Sequence, residues 1–440
     1  MTSIVFTSLF LGLVLGAQTI GVDVEGPVAA VEYQLDGKSI GRASARPWSI
    51  RVDLGTAIAP HVLVARALDR KGEEVSRVQQ WLNLPRPRAE TQIVMEKDAT
   101  GRPTAARLSW QSLFGSRPTS VAVTFDGRPL AVDGAGRVAL PAWDPGRTHL
   151  LTVQLEFTEH ARSRTDVVVG GDTGDEAKSE LTAIPVSVRG RGQMPELPAL
   201  QDCFEEAGRP LRVVAVENEP AQVVLVRDSG NREARDVLAG GNRYFLQRDS
   251  ERIFGDIRLA GDDRVRLIWP APQRITDPVL SSDLFPKTED MTMATGSLHW
   301  ILTRAYMPQA GSAAPRFTDA AAVAGLEAFA SSTRRAVVVV LGSAKDSSRL
   351  PVEAVRSYLE DLRVPLFIWS LVDPGSRPEF GRWGTVLDVS TPHRLREAVR
   401  ILKKNLKDQQ ILWFDGKHLP QTISLTGKGA IVFDGPGPGG

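Results

Sequence analysis

The 440-residue chain has one cysteine, Cys203. An intramolecular disulfide and a cysteine-built zinc site are therefore excluded. Charge of one sign is also missing: 53 Lys and Arg stand against 52 Asp and Glu, a formal net charge of +1. That balance gives no global electrostatic reason for nucleic acid or an anionic membrane as partner, and no nucleic-acid partner is expected. Long apolar runs are scarce. The one from Ile4 to Leu15 is too short to span a bilayer comfortably, since a spanning helix needs ~20 apolar residues. No later run reaches that length, so no transmembrane helix is expected in the mature chain. Catalytic signatures are absent too: there is no G-x-S-x-G elbow, H-E-x-x-H helix or G-x-x-x-x-G-K-S/T loop. The six histidines show no metal-ligand spacing. Cys203 stands beside Asp202, Glu205 and Glu206, which raise a thiol's pKa and blunt its reactivity. No enzyme is expected from these residues.

What is present begins with residues 1–17, MTSIVFTSLFLGLVLGA, which carry no charged side chain and end on a small residue. This has the shape of a secretory signal peptide, although an early Lys or Arg is missing and Leu15 sits where a small residue is preferred. The expectation is an exported, periplasmic or extracellular protein. The alternative reading of the segment is an uncleaved anchor or a buried strand.

From Val28 to Trp81 the signals are those of strands. Val31, Tyr33 and Leu35 alternate with polar residues before Asp36-Gly37, a hairpin turn pair. Trp48, Ile50, Val52 and Leu54 alternate again, and 61–68 (HVLVARAL) is a further run. The pattern then recurs: Val121, Val123 and Phe125 lead into Asp126-Gly127, and 149–157 (HLLTVQLEF) matches HVLVARAL. Two copies about 90 residues apart imply tandem β-sandwiches, placed at 18–86 and 87–186. The acidic stretch 170–176 lacks the alternating oxygens of a calcium loop and reads as a solvated turn. Gly- and Pro-rich residues 187–207 read as a linker.

After the linker the pattern changes. Stretches 222–227 (QVVLVR), 264–269 (RVRLIW) and 336–341 (AVVVVL) are near-continuous apolar strands of the kind buried on both faces. Helical patterns lie between and after them, at 318–331 with Thr318 as the expected cap, at 351–362 and at 392–406. This alternation predicts an α/β doubly wound, Rossmann-like sheet over 208–415, then a C-terminal hairpin and an unstructured tail over 416–440.

Stretches 208–217 (GRPLRVVAVE) with 220–229 (PAQVVLVRDS), 334–341 (RRAVVVVL), and 395–414 ending in KDQQILWF resemble a von Willebrand factor A-type (vWA) domain. The whole chain is similar to an acidobacterial family of exported proteins related to that domain. The front copies resemble bacterial Ig-like repeats through LDGKSIG and the Pro47-Trp48-Ser49 strand. The resemblance implies a divalent-cation site built from Asp-x-Ser-x-Ser after the first strand, a Thr from a middle loop and an Asp after the central strand. Here Asp228 matches the first Asp, but Gly230 and Arg232 fall on the serine positions. Gly296 takes the threonine position between Thr295 and Ser297, and Ser343 takes the acidic one, with Asp346 further on. Hard cations need several converging oxygens, so the site reads as degenerate and no cofactor is expected beyond a weak divalent cation. Asp228, Ser229, Thr295, Ser297, Ser343 and Asp346 are the candidate ligand-binding residues. Their other possible role is to cap helix starts beside strand ends. The expected function is an exported, non-catalytic protein-binding or adhesion-type module with an unidentified protein partner. Its alternatives are a metal-dependent adhesion protein, in which Asp228, Thr295 and Asp346 rebuild a site through waters, and a hydrolase with an unrecognised site.

Overall fold

The structure is a computed structural model. It describes residues 3–8, 10, 12–85, 89–112, 117–157, 162–171, 181–188, 194–227, 259–272, 280–281, 283–292, 298–303, 314–342, 344–427 and 431–433. Strand dominates, arranged mostly as β-sandwiches.

The first sandwich sets a three-stranded antiparallel sheet (Ser3–Phe6, Ala17–Glu25, Ser49–Asp53) against a four-stranded one ordered Lys38–Ala43, Ala30–Leu35, His61–Leu68, Glu74–Leu82. The strand alternation does what period-two patterning requires. Val31, Tyr33, Leu63, Ala65 and Ala67 point inward and share one core with Ile4, Ile20, Val22 and Val24 of the facing sheet. The second sandwich repeats this arrangement. Ala89–Lys97, Pro103–Ser112 and Arg137–Ala139 form its three-stranded sheet. Arg128–Leu130, Pro118–Phe125, Thr148–Phe157 and Arg162–Gly170 form the four-stranded one.

The repeat extends to single atoms. Asp36 and Asp126 both sit at φ 50°, each followed by a glycine of positive φ, which is the backbone of a tight two-residue hairpin. Each aspartate accepts a 2.9 Å bond from a backbone N–H, of Val62 or of Leu150, and holds a histidine Nδ1, of His61 at 2.7 Å or of His149 at 2.6 Å.

The apolar start of the chain, read above as a signal peptide, belongs to the first sandwich in this structure. Ser3–Phe6 pairs with Ala17–Glu25 and fills the sheet position that Ala89–Lys97 fills in the second copy. Ile4 and Leu13 are buried. The Leu13 N–H donates to the Leu280 carbonyl, and Asn83 clasps Val14 by accepting from its N–H at 2.7 Å and donating to its C=O at 3.0 Å.

A third β unit brings together chain segments from both sides of the α/β region. Val213–Glu217, Gln410–Asp415, Leu181–Val188 and Ile431–Phe433 make a four-stranded sheet; Arg209–Pro210, Phe204–Glu206 and Ile423–Leu425 make a three-stranded one. Ile184, Cys203, Phe204, Leu412, Phe414 and Ile423 lie in its core. This corrects two boundaries. The stretch read as a linker over 187–207 supplies strand and core residues, and 416–440 contributes two strands rather than only a hairpin and a tail. Residues on the near side of this stretch have partners more than two hundred residues downstream, for example Thr182 Oγ1 donating to the Gly416 carbonyl.

Between Glu217 and Gln410 lies an α/β unit. Its strands are labelled β1 (Gln222–Arg227), β2 (Arg264–Ile268), β3 (Met291–Thr292), β4 (Arg335–Leu341), β5 (Leu366–Ser370) and β6 (Val386–Asp388). Their order is β3-β2-β1-β4-β5-β6, with all pairs parallel except the β2–β3 edge. Every residue of β1, β4 and β5 is buried, which is why these runs read as continuously apolar. Successive residues feed two cores. Val224, Val226, Val337 and Val339 pack under α2 (Phe317–Phe329) and α3 (Val352–Asp361). Val223, Leu225, Val338 and Val340 pack under α1 (Leu298–Thr303) and α4 (Pro392–Asp408). Helix α2 is buried nearly all round, so its sequence shows little amphipathic contrast. At Gly325 an added Cβ would lie 2.2 Å from Leu359 Cδ2, so the glycine permits close approach of α2 and α3.

Candidate functional site

In an open sheet of this order the winding reverses between β1 and β4, and ligands bind in the crevice outside the carboxyl ends of those strands. Of the six residues expected there, Asp228, Ser229, Thr295, Ser297 and Ser343 lie outside the described residues. The sixth, Asp346, follows β4, and its surroundings are well defined.

Asp346 serves the start of α2 from a different loop. Its Oδ1 accepts from the Phe317 N–H at 2.9 Å, the Ser348 N–H at 3.0 Å and the Ser348 hydroxyl at 2.5 Å. Its Oδ2 accepts from the Thr318 N–H at 3.2 Å and from the Thr318 hydroxyl. A carboxylate offers about four lone-pair positions. Five donors surround this one. Helix α2 lacks an N-cap side chain of its own, because Arg316 stands at that place. Thr318, expected as the cap, is the second residue of the helix and donates to Asp346 instead. The orphan first-turn N–H groups and the positive end of the helix dipole account for the attraction of this aspartate.

Next to it, Asp319 is fully buried and stitches the same two segments together. It accepts from the Arg349 and Leu350 N–H groups at 3.0 Å and from Arg316 Nε at 2.6 Å, while the Asp319 N–H donates to Ser348 Oγ. Ser348, Asp319 and Arg316 were not among the candidates from the sequence. The Asp346-Ser347-Ser348 run was a legible turn signal, but its partners lie about thirty residues upstream in the chain. At the end of β1, Arg227 is 2% exposed and donates through Nη1 to the Leu302 carbonyl of α1. The described part of the crevice is therefore organised by a saturated carboxylate pair and a buried guanidinium.

Other candidate chemistry is spent structurally. Among the described residues no group of three or more His, Cys, Asp or Glu could hold a metal ion. Cys203 is buried in the third β unit, its thiol directed at the Ala199 carbonyl. His418 is held between Glu206 and the Asp415 carbonyl, each at 2.7 Å. An open groove of about 150 Å³ lies between β6 and α4, with Leu387, Ala398 and Ile401 lining it and the Asp388–Arg394 ion pair at its rim. No helix among the described residues is long and apolar enough to cross a membrane.

No protein-family model and no curated protein matches the chain. Solved structures that overlap it include the fibronectin(III)-like modules of Clostridium thermocellum CbhA, at 13% identity and TM-score 0.16, covering 38% of this chain and 94% of that one. The central fibronectin-III array of RIM-binding protein overlaps at 11% identity and TM-score 0.20, covering 47% and 78%. A β-glycosidase from Bacteroides vulgatus overlaps at 12% identity and TM-score 0.20, covering 38% of this chain and only 24% of the enzyme. Likeness at these scores decides nothing about function, and the sandwich architecture rests on the strand pairings described above.

Proposed function

We propose that the chain is a non-catalytic, modular binding protein: β-sandwiches carry a vWA-like α/β unit whose loops beyond β1 and β4 recognise a protein partner without a tightly held metal. The observation that carries this reading is the saturation of Asp346. This carboxylate, in the described segment that follows β4, is committed to five donors at the start of α2. The strand order, with its reversal between β1 and β4, supports the comparison with vWA domains. The replacement of the serine positions by Gly230 and Arg232 supports the loss of the metal. Thermal melting in rising magnesium or manganese tests the proposal. A midpoint unchanged up to millimolar metal is expected. A saturable rise would instead identify a metal-dependent module, because a ligand bound only to the folded state raises its stability by mass action.

A further inference from the structure

The α/β unit leaves and rejoins the third β unit through one pair of neighbouring antiparallel strands, with Glu217 opposite Ile411. This two-stranded stem packs on the second sandwich. Leu150 and Val168 of the sandwich share an apolar cluster with Ala183, Val214, Ile411 and Trp413. At the edge of that cluster lies a group of charges. Arg164, from the sandwich strand Arg162–Gly170, is paired with Asp166 at 2.9 Å, with Glu219 at 2.7 Å and with Glu217 at 3.5 Å. Trp413, on the exit strand of the stem, donates its indole N–H to Glu217 at 2.8 Å, and its ring lies under the Arg164 guanidinium at 5.4 Å. Thr152 donates to Asp166, and Arg334, at the start of β4, donates to the Glu219 carbonyl, so every element at the junction contributes. Three carboxylates share one guanidinium in a largely buried place. When all are ionised, two negative charges are uncompensated, and like charges at such distances repel strongly in low dielectric.

We propose that this junction is a proton-operated latch: protonated Glu217 closes the second sandwich onto the stem of the α/β unit, and ionised Glu217 loosens that contact. Burial pushes the Glu217 carboxyl up to about 7, and Glu219 adds to the rise, while Arg164 and the indole N–H oppose it. Burial works against the Arg164 charge, but Asp166 and Glu219 hold it above its usual range, so the cation persists throughout. A carboxyl with a raised folded-state pKa binds its proton more tightly folded than unfolded. The stabilisation is therefore complete below the ordinary value of 4.5 and is lost as pH climbs through about 7.

The test compares the full chain with Glu217→Gln, an isosteric mimic of the protonated state that can still accept from Trp413. Melting midpoints and radii of gyration from small-angle scattering are measured between pH 5 and 8. The two proteins are expected to match at pH 5. At pH 8 the wild type should melt lower and scatter as a larger particle, while Glu217→Gln keeps its pH 5 dimensions. Trp413→Phe removes a bond that favours the ionised form, so it should move the wild-type transition to higher pH. A Glu217→Gln chain that retains the full pH-dependent loosening, or a wild type with equal dimensions at both pH values, overturns the proposal.

Discussion

At the scale of single residues, two charges show how position decides worth. Asp346 is fully paired, and Asp346→Ala strands the first-turn N–H groups of α2 and the Ser348 N–H together. A loss of about 2–4 kcal/mol in a denaturant titration is expected, above a single cap because several donors lose their acceptor at once. Arg335 is the opposite case. It lies at the amino end of β4, fully buried, where α2, α3 and α4 end. Its side chain donates one bond, from Nη2 to the Leu362 carbonyl at 3.2 Å, and its guanidinium stacks 4.5 Å from the Phe329 ring; Nε and Nη1 have no partner among the described residues. Burial pushes the Arg335 guanidinium down to about 9. The negative ends of three helices offset part of that cost. Arg335→Met is expected to leave stability unchanged or to raise it by up to about 3 kcal/mol, as apolar replacement of buried charge often does. A fall in the unfolding midpoint would instead show that the helix ends fully compensate the charge. The Asp-Gly turns with their histidines were legible in the sequence because both partners recur in the same order. Asp346 takes the helix-capping role that the sequence left open for it, but which helix it caps was not legible, because that helix starts 28 residues away in the chain.

At the scale of elements, legibility followed the distance between partners. Strands β1, β2 and β4 and helices α3 and α4 were readable from apolar runs and helical spacing, since each pattern is local. The strands of the third β unit were not. Phe204–Glu206 is three residues long and pairs with Ile423–Leu425, far beyond any window in which periodicity operates. The first strand is hard to read for another reason. An uncharged apolar run at the start of a chain looks alike whether it is to be removed or buried. The structure gives it specific work, and a chain beginning at Ala17 should show the consequence. Such a chain loses the buried Ile4 and Leu13, at roughly 1.5–3 kcal/mol each. It also leaves Asn83, whose backbone carbonyl accepts from the Tyr358 hydroxyl of α3, without the Val14 partner of its side-chain oxygen. A melting midpoint lower by many degrees is expected for the shortened chain. Equal midpoints would mean that the sheet closes without its edge strand.

At the scale of the whole molecule, the α/β unit is an insertion in a β unit, not the last bead on a string. Its contacts reach the first sandwich through Asn83 and Tyr358, and its stem meets the second sandwich at Arg164. The α/β unit is thus braced against both sandwiches, and the junction at Glu217 supplies a place where the bracing responds to protons. The central claim is that this platform recognises its partner without a resident cation, and manganese electron paramagnetic resonance tests it most directly. With the full chain added to micromolar Mn²⁺ in stoichiometric excess, the six-line signal of the free ion should keep its amplitude. Loss of that signal in proportion to added protein, restored by excess Mg²⁺, would contradict the account.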